Sequence, residues 1–245
     1  MTTDSEVYFK NIMENQISIS NALTQKIHDL HLHFSNEIIK SVRNNRNTSL
    51  EYDLGFQIND IRKNMMKILL KDSEKYKVIT DSPVAIFSND HIAPYGTIND
   101  NTRHPRFVKA CERFFRGRRL KALDLGCSGG GLVFDFLFNG HVAVGLEGSD
   151  ASFKASRAEW RTIPENLFTC DVTRPFTVRT EGSVIEQFDV VTMWEVLEHI
   201  QETDLPVLFA NINNHLSMGG VFIGSIALQD DVVNWVSYHP TVRPI

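Results

Sequence analysis

At 245 residues, 42% apolar and 22% charged, the chain is long enough for one large domain, or for a domain with an appendage, around a real core. A formal net charge of −5 gives no global reason to expect nucleic acid or an anionic membrane as partner. Cys111, Cys127 and Cys170 form no CxxC or Cys/His pattern. That excludes a disulfide scaffold and fits a reducing, cytoplasmic compartment.

The start, "MTTDSEVYF", lacks the basic and apolar regions of a signal peptide, and no apolar run approaches the ~18 residues of a membrane span. From about Ser5 to Arg43 there is no Gly or Pro, and Ile19, Leu23, Ile27, Leu30, Phe34, Ile38 and Val42 make one stripe at helical spacing. "NNRNTS" is a turn, and Leu54, Ile58, Ile61, Met65 and Leu69 predict a second, shorter helix. Residues 1–75 are thus expected to be a helical segment. The first helix outruns the usual globular length, which suits a coiled-coil arm that makes a homo-oligomer or a hairpin packed on its own domain.

Residues 76–101 turn irregular, with Pro83, Pro94 and Gly96, and are expected to connect and to cover a ligand site. The next helix carries Arg103, Arg106, Lys109, Arg113, Arg116, Arg118, Arg119 and Lys121 against Glu112 alone. Such a face is either solvated or a surface for a phosphate-bearing substrate, a glycan lipid or RNA. After Lys121 strands and helices alternate: "KALDLG", a helix from Gly131, "VAVGLE", a helix from Ser152, "NLFTC", "FDVVTMW", a helix from Glu195, and "VFIGSIAL". This order predicts an α/β domain over 102–245, a parallel sheet covered on both faces with its ligand at the carboxyl ends of the strands.

"LDLGCSGGG" closes the first of these strands. Gly126 permits a tight turn, and the following glycines let backbone approach a ligand. No GK[ST] follows, which rejects a nucleoside-triphosphate loop. Asp124 suits a cationic ligand better than a pyrophosphate. Glu147 ends the second strand, where a carboxylate accepts from both hydroxyls of a ribose, and Asp171 after the third is placed to accept from an adenine amino group.

Taken in order, "ALDLGCSGGG", "VGLEGSD", "TCDVT", "FDVVTMWEVLEHI" and "HLSMGGVFIGS" resemble the class I S-adenosylmethionine-dependent methyltransferases over about Lys121 to Leu228. The resemblance implies a Rossmann-like sheet and S-adenosylmethionine as cofactor. By position, Asp124, Gly126, Ser128 and Gly130 would line its methionine part, Glu147 with Gly148 the ribose, and Asp171 with Val172 the adenine. Ser128 departs from the family's usual glycine.

"WEVLEHI" spaces Glu195, Glu198 and His199 at i, i+3 and i+4, one face if helical. Two oxygens and a nitrogen suit Mg²⁺ or Mn²⁺. The spacing resembles that of two metal-assisted groups, the small-RNA 3′-terminal ribose methyltransferases and the ubiquinone-pathway O-methyltransferases. By that likeness His239 is the candidate fourth ligand, with His215 its competitor at a helix end where a cation favours the dipole. The other readings are His199, beside Glu195, as a metal-free general base, and a solvated acidic first turn. Trp194, Tyr95, Phe87 and Trp235 either shape an acceptor pocket or pack the core. The expected acceptor is a sugar or glycan hydroxyl, then RNA ribose, then a small phenolic or quinone-like molecule. A non-catalytic cofactor-binding scaffold is the rival class. After Leu228 the 17 residues 229–245 are too few for the helix and two strands that complete such a sheet. That predicts a piece of a longer protein or a sheet with an open edge.

Overall fold

The computed structural model describes residues 60–70, 74–180 and 185–226. Both N-terminal stripes up to Ile58, Trp235, His239 and the chain after Ile226 therefore lie outside the described residues. The chain divides into two compact units, Met1–Arg62 and Lys63–Ile245. In chain order the described elements begin with a helical segment at 60–69. Next come β1 (Tyr76–Thr80), α1 (Asn89–Ile92), α2 (Tyr95–Asn99), α3 (Pro105–Phe114), β2 (Lys121–Leu125), α4 (Gly131–Phe138) and β3 (Val142–Glu147). The rest are α5 (Ala151–Lys154), β4 (Leu167–Thr169), β5 (Phe176–Thr180), β6 (Phe188–Trp194), α6 (Leu205–His215) and β7 (Leu216–Ser225). Short 3₁₀ turns stand at Ala158–Arg161, Leu197–His199 and Glu202–Asp204.

Five strands form one sheet in the order β4-β3-β2-β6-β7, every neighbouring pair parallel. This is the expected doubly covered sheet, and the strand sequences explain it. β6 reads FDVVTMW and buries every residue but the last, as a central strand with helices on both faces must. Side chains alternate between two cores. Ala122, Ala143 and Val190 point to the core built with Val108, Cys111, Leu132, Val133 and Met66. Leu123, Val144 and Val191 point to the other, with Leu208 and Ile212 of α6. A one-residue slip of β2 would send Asp124 into a core, so the pattern fixes the register.

Four local expectations are corrected. "YKVIT" does not belong to an irregular connection: β1 pairs antiparallel with β5, from Tyr76↔Thr180 to Thr80↔Phe176, as a separate two-stranded sheet. The helix expected from Ser152 is only the four residues of α5, because Ser156 and Ala158 adopt φ of 46° and 48°. "MGG" is a bulge rather than a turn before the last strand. Register moves from Phe188↔Leu216 to Val190↔Val221, three extra residues in β7, with Gly219 at φ 79°. No helix starts at Glu195. That residue takes φ 52°, a single 3₁₀ turn follows, and α6 begins at Leu205 with Pro206 in its first turn.

The basic run from Arg103 to Lys121, of which α3 is the helical part, is partly neutralised by acidic partners. Arg103 pairs with Asp135, Lys109 with Glu112 at 2.9 Å, Arg118 with Asp189 at 2.8 Å, and Lys121 with Glu186. Arg106, Arg113, Arg116 and Arg119 are exposed.

Candidate cofactor site

β2 and β6 are neighbours, yet the chain leaves β2 toward β3 and β4 and leaves β6 toward β7. Their carboxyl ends therefore open a crevice at the switch point. The glycine-rich loop fills the β2 side. Gly126 and Cys127 both donate their N–H to Leu146 O, at 2.7 and 3.0 Å. Gly126 has φ 78°, and a Cβ there would lie 2.3 Å from Val196 Cγ2. Gly130 caps α4 in the left-handed region.

The loop closes on a carboxylate. Glu147, 5% exposed, accepts from Ser128 N–H at 2.7 Å and from Ser149 N–H at 2.9 Å. Ser149 was not legible as a site residue, although its place two residues after Glu147 is the spacing at which a side chain caps its own backbone. Ser128 itself sits at φ 47°, which accounts for glycine being the usual occupant.

Asp124 lies one strand over, 6% exposed, and accepts from Thr192 Oγ1 at 2.7 Å. Burial pushes its carboxyl up to about 7; the Thr192 hydrogen bond opposes the rise and the Asp100 charge adds to it. Among the described residues no cationic side chain pairs with it. A buried carboxylate beside a glycine loop and without a counter-ion fits a ligand that brings its own positive charge. At β4, Asp171 accepts from Thr173 N–H at 2.9 Å and Thr173 Oγ1 at 2.6 Å, and Val172 is buried beside it. Asp124, Gly126, Ser128, Gly130, Glu147, Gly148, Asp171 and Val172 thus line one edge, across the ends of β2, β3 and β4.

A strap, residues 81–102, follows that edge. Ser82 O accepts from Asp171 N–H at 2.9 Å, and Ala85 N–H donates to Gly148 O at 2.9 Å. Ser128 Oγ donates to Thr97 O at 2.9 Å and to Asp100 O at 3.1 Å. Asn101 and Thr102 lie where a Cβ on Gly129 or Gly131 would be, at 2.5 and 2.4 Å. The region expected to cover a ligand site runs over these residues.

At the end of β6, Trp194 stacks on His104, centroids 5.9 Å apart, and meets Phe107 edge-on at 5.1 Å. Its indole N–H is buried and has no hydrogen-bond partner among the described residues. Glu195 is exposed, receives a hydrogen bond from Ser225 Oγ, and donates its N–H to Ser225 O at 3.2 Å. Glu198 and His199 are half-buried on the 3₁₀ turn. The one-face argument fails with the helix it assumed. Among the described residues no three His, Cys, Asp or Glu side chains gather to hold an ion. Glu195, Glu198 and His199 do not fit a Mg²⁺ or Mn²⁺ ligand set as placed.

His215 ends α6 as expected, but not as a cation. It is fully buried, its Nε2 accepts from Val178 N–H at 3.0 Å, and its Nδ1 donates to Asn211 O at 2.8 Å. Burial lowers its pKa, so it is a neutral tie between α6 and β5. Phe87 and Tyr95 are exposed on the strap. A cavity of about 390 Å³ lined by Phe114, Phe115, Arg116 and Arg118 lies before β2 begins, at the opposite end of the strands from the loop.

A parallel sheet with a glycine loop and buried carboxylates at the ends of β2 and β3, beside its switch point, is the arrangement of the class I S-adenosylmethionine-dependent methyltransferases. Comparison with known proteins agrees: the family described as a methyltransferase domain matches residues 100–240, and the chain belongs to it. None of the curated proteins matches the chain. Among solved structures, it is similar to the glycopeptide N-methyltransferase MtfA complexed with sinefungin, 20% identical over 53% of this chain and 56% of that one, TM-score 0.40. It is also similar to CalS10, an amino pentose methyltransferase from Micromonospora echinaspora, at 22% over 58% and 57%, TM-score 0.41. A third is an S-adenosylmethionine-dependent methyltransferase from Clostridium acetobutylicum ATCC 824, at 22% over 56% and 54%, TM-score 0.40. The chain spans little more than half the length of these structures. Among the described residues no helix is long and apolar enough to cross a membrane.

Proposed function

We propose that the chain transfers the methyl group of S-adenosylmethionine to an oxygen nucleophile, with a sugar or glycan hydroxyl as the acceptor class, and acts in the cytoplasm. One observation carries the cofactor reading: a buried Asp124 without a counter-ion stands beside a loop folded around the Glu147 carboxylate. The first suits the cofactor's positive methionine end, and the second its ribose hydroxyls. When bound, the cofactor supplies a methyl group already activated as a sulfonium. The protein's remaining task is to align the acceptor and remove its proton.

The acceptor side is assigned to the turn after β6. Trp194, with His104 and Phe107 against it, offers an aromatic face of the kind that suits the apolar side of a sugar ring. The unpartnered indole N–H is available to an acceptor oxygen once that turn rearranges. His199 is the proposed general base, with Glu195 next to the same strand end. Cys111, Cys127 and Cys170, buried free thiols, support a reducing compartment. A second reading, RNA ribose, draws on the exposed Arg106, Arg113, Arg116 and Arg119.

Calorimetry with S-adenosylhomocysteine, followed by transfer of labelled methyl to a panel of glycosides and short RNAs, tests these in turn. Binding that is lost in Glu147→Ala and label on a glycoside that is lost in His199→Ala are expected. Absence of binding to the full chain removes the enzyme reading. Label confined to RNA moves the acceptor to the second reading. EDTA added to the same reaction tests metal assistance separately.

A further inference from the structure

The Ser128 hydroxyl and the Arg157 guanidinium, which lies beyond α5, meet at the strap. Thr97 O accepts from Ser128 Oγ at 2.9 Å, from Ser152 Oγ at 3.3 Å and from the Arg157 guanidinium. Asp100 O accepts from Ser128 Oγ at 3.1 Å and from the same guanidinium nitrogen. Arg157 also donates to Ser128 Oγ at 3.2 Å, and through Nε to Ser152 Oγ at 3.1 Å. Two hydroxyls and one guanidinium thus converge on two carbonyl oxygens of the strap. Ser152 is fully buried and Ser128 is 9% exposed. Trp160 Nε1 donates to Ser128 O at 2.8 Å and holds the loop from the other side.

We infer that Arg157, with Ser152, is a positioning residue of the cofactor site: it clasps the 97–102 turn of the strap onto Ser128 and so sets the rate at which cofactor leaves. This rests on the S-adenosylmethionine reading above. The strap is tied to Asp171 and Gly148 by backbone hydrogen bonds and to Ser128 through its hydroxyl, the residues assigned to adenine, ribose and methionine, so cofactor exchange requires it to lift. Between these fastenings the strap shows its side chains to solvent. Phe87 and Tyr95 are 88% and 76% exposed, and Ile86, Ile92 and Ile98 also face outward. The charged, forked donor is the strongest fastening, because one guanidinium nitrogen reaches both carbonyls while Nε holds Ser152 Oγ, a two-nitrogen grip that a lysine lacks. Ser128 serves here as the anchor that a glycine cannot supply, and its φ of 47° is the conformational cost.

The test uses the full chain and variants Arg157→Ala, Arg157→Lys and Ser152→Ala. Dissociation of S-adenosylhomocysteine is followed by stopped-flow tryptophan fluorescence, with Trp160 as reporter. Chymotrypsin cutting at Phe87 and Tyr95 is followed with the ligand bound. Loss of the charged hydrogen bonds should speed dissociation on the order of 10- to 100-fold in Arg157→Ala, with faster cutting. Arg157→Lys and Ser152→Ala should show smaller increases of both. An arginine that serves only folding would lower the melting temperature and leave dissociation from the folded variant unchanged; that result overturns the clasp. If Arg157→Ala does not fold, unchanged dissociation in both milder variants overturns it equally. Failure of the wild-type chain to bind S-adenosylhomocysteine instead overturns the cofactor reading on which the clasp depends.

Discussion

Replacing Asp124 by Asn should stabilise the cofactor-free protein, increasingly so as pH rises. In the fold the carboxyl titrates near 7 rather than at its ordinary 3.8, chiefly because it is buried. The folded state thus holds this proton over a range in which the unfolded chain has released it. Stability attached to the group is intact below about 4 and is lost as pH rises toward 7. A shift of about three units corresponds to roughly 4 kcal/mol at pH 8 and to less than about 2 kcal/mol at pH 5. Asn keeps an acceptor for Thr192 Oγ1 and carries no charge. Urea denaturation of wild type and Asp124→Asn at pH 5 and pH 8, avoiding the isoelectric point near 6.0, reads the difference. The variant's advantage should grow by about 2–3 kcal/mol between the two. A difference that stays constant with pH refutes the claim that Asp124 is a buried carboxylate lacking a counter-ion. The opposite trend is expected for ligand. Asp124→Asn should weaken S-adenosylhomocysteine binding at pH 8 by at least about tenfold, since the buried negative charge is what the ligand's ammonium neutralises.

His215 gives an effect of the opposite sign. Its pKa is lowered in the fold, so the unfolded chain takes up a proton that the folded one refuses, and stability falls as pH drops below about 6.5. His215→Ala should remove that acid-side loss in denaturation curves, while costing about 3 kcal/mol at pH 8 through the orphaned Val178 N–H and the vacated space against Phe176. Gly126→Ala should cost about 2 kcal/mol or more in thermal melts and weaken S-adenosylhomocysteine binding, because its Cβ would strike Val196 at a backbone angle that alanine avoids. Ser128→Gly trades the single hydroxyl proton shared between Thr97 O and Asp100 O for relief at φ 47°, so its stability should change by less than about 1 kcal/mol.

The sheet was legible because β-branched runs such as VAVGLE and FDVVTMW admit one reading when buried on both faces. The residues proposed for the cofactor fall at neighbouring strand ends because each closes such a run: Asp124 and Gly126 at β2, Glu147 at β3, Asp171 after β4. What failed was local conformation at the strand ends. Glu195 looks like a helix start, since acidic residues favour a first helical turn. The chain instead turns left-handed there, because Glu195 N–H is taken by Ser225 O of the neighbouring strand. A periodicity argument cannot see a bond made thirty residues away. The β1–β5 pair was missed for the same reason: Tyr76 and Thr180 carry no local sign that they will meet. His215 misled in another way. A helix-end histidine suggests a cation, and only the fold reveals Val178 N–H and the Phe176 ring packed against it.

The loop's two neighbours now explain each other. Val196, on the turn after β6, lies against Gly126, so the proposed acceptor side presses on the cofactor loop from one direction. The strap, held by Ser128 and Arg157, presses on it from another. Gly126 and Ser128 are two residues apart in a loop that wraps one carboxylate, Glu147. In the proposed clasp, lifting the strap would free the Ser128 hydroxyl but leave Ser128 N–H on Glu147, so the carboxylate proposed for the ribose would stay held while its cover opens. Ligand exchange would then not dismantle the group proposed to recognise it. That separation depends on Ser128 using its backbone for one partner and its side chain for the other, which a glycine at the same position cannot do.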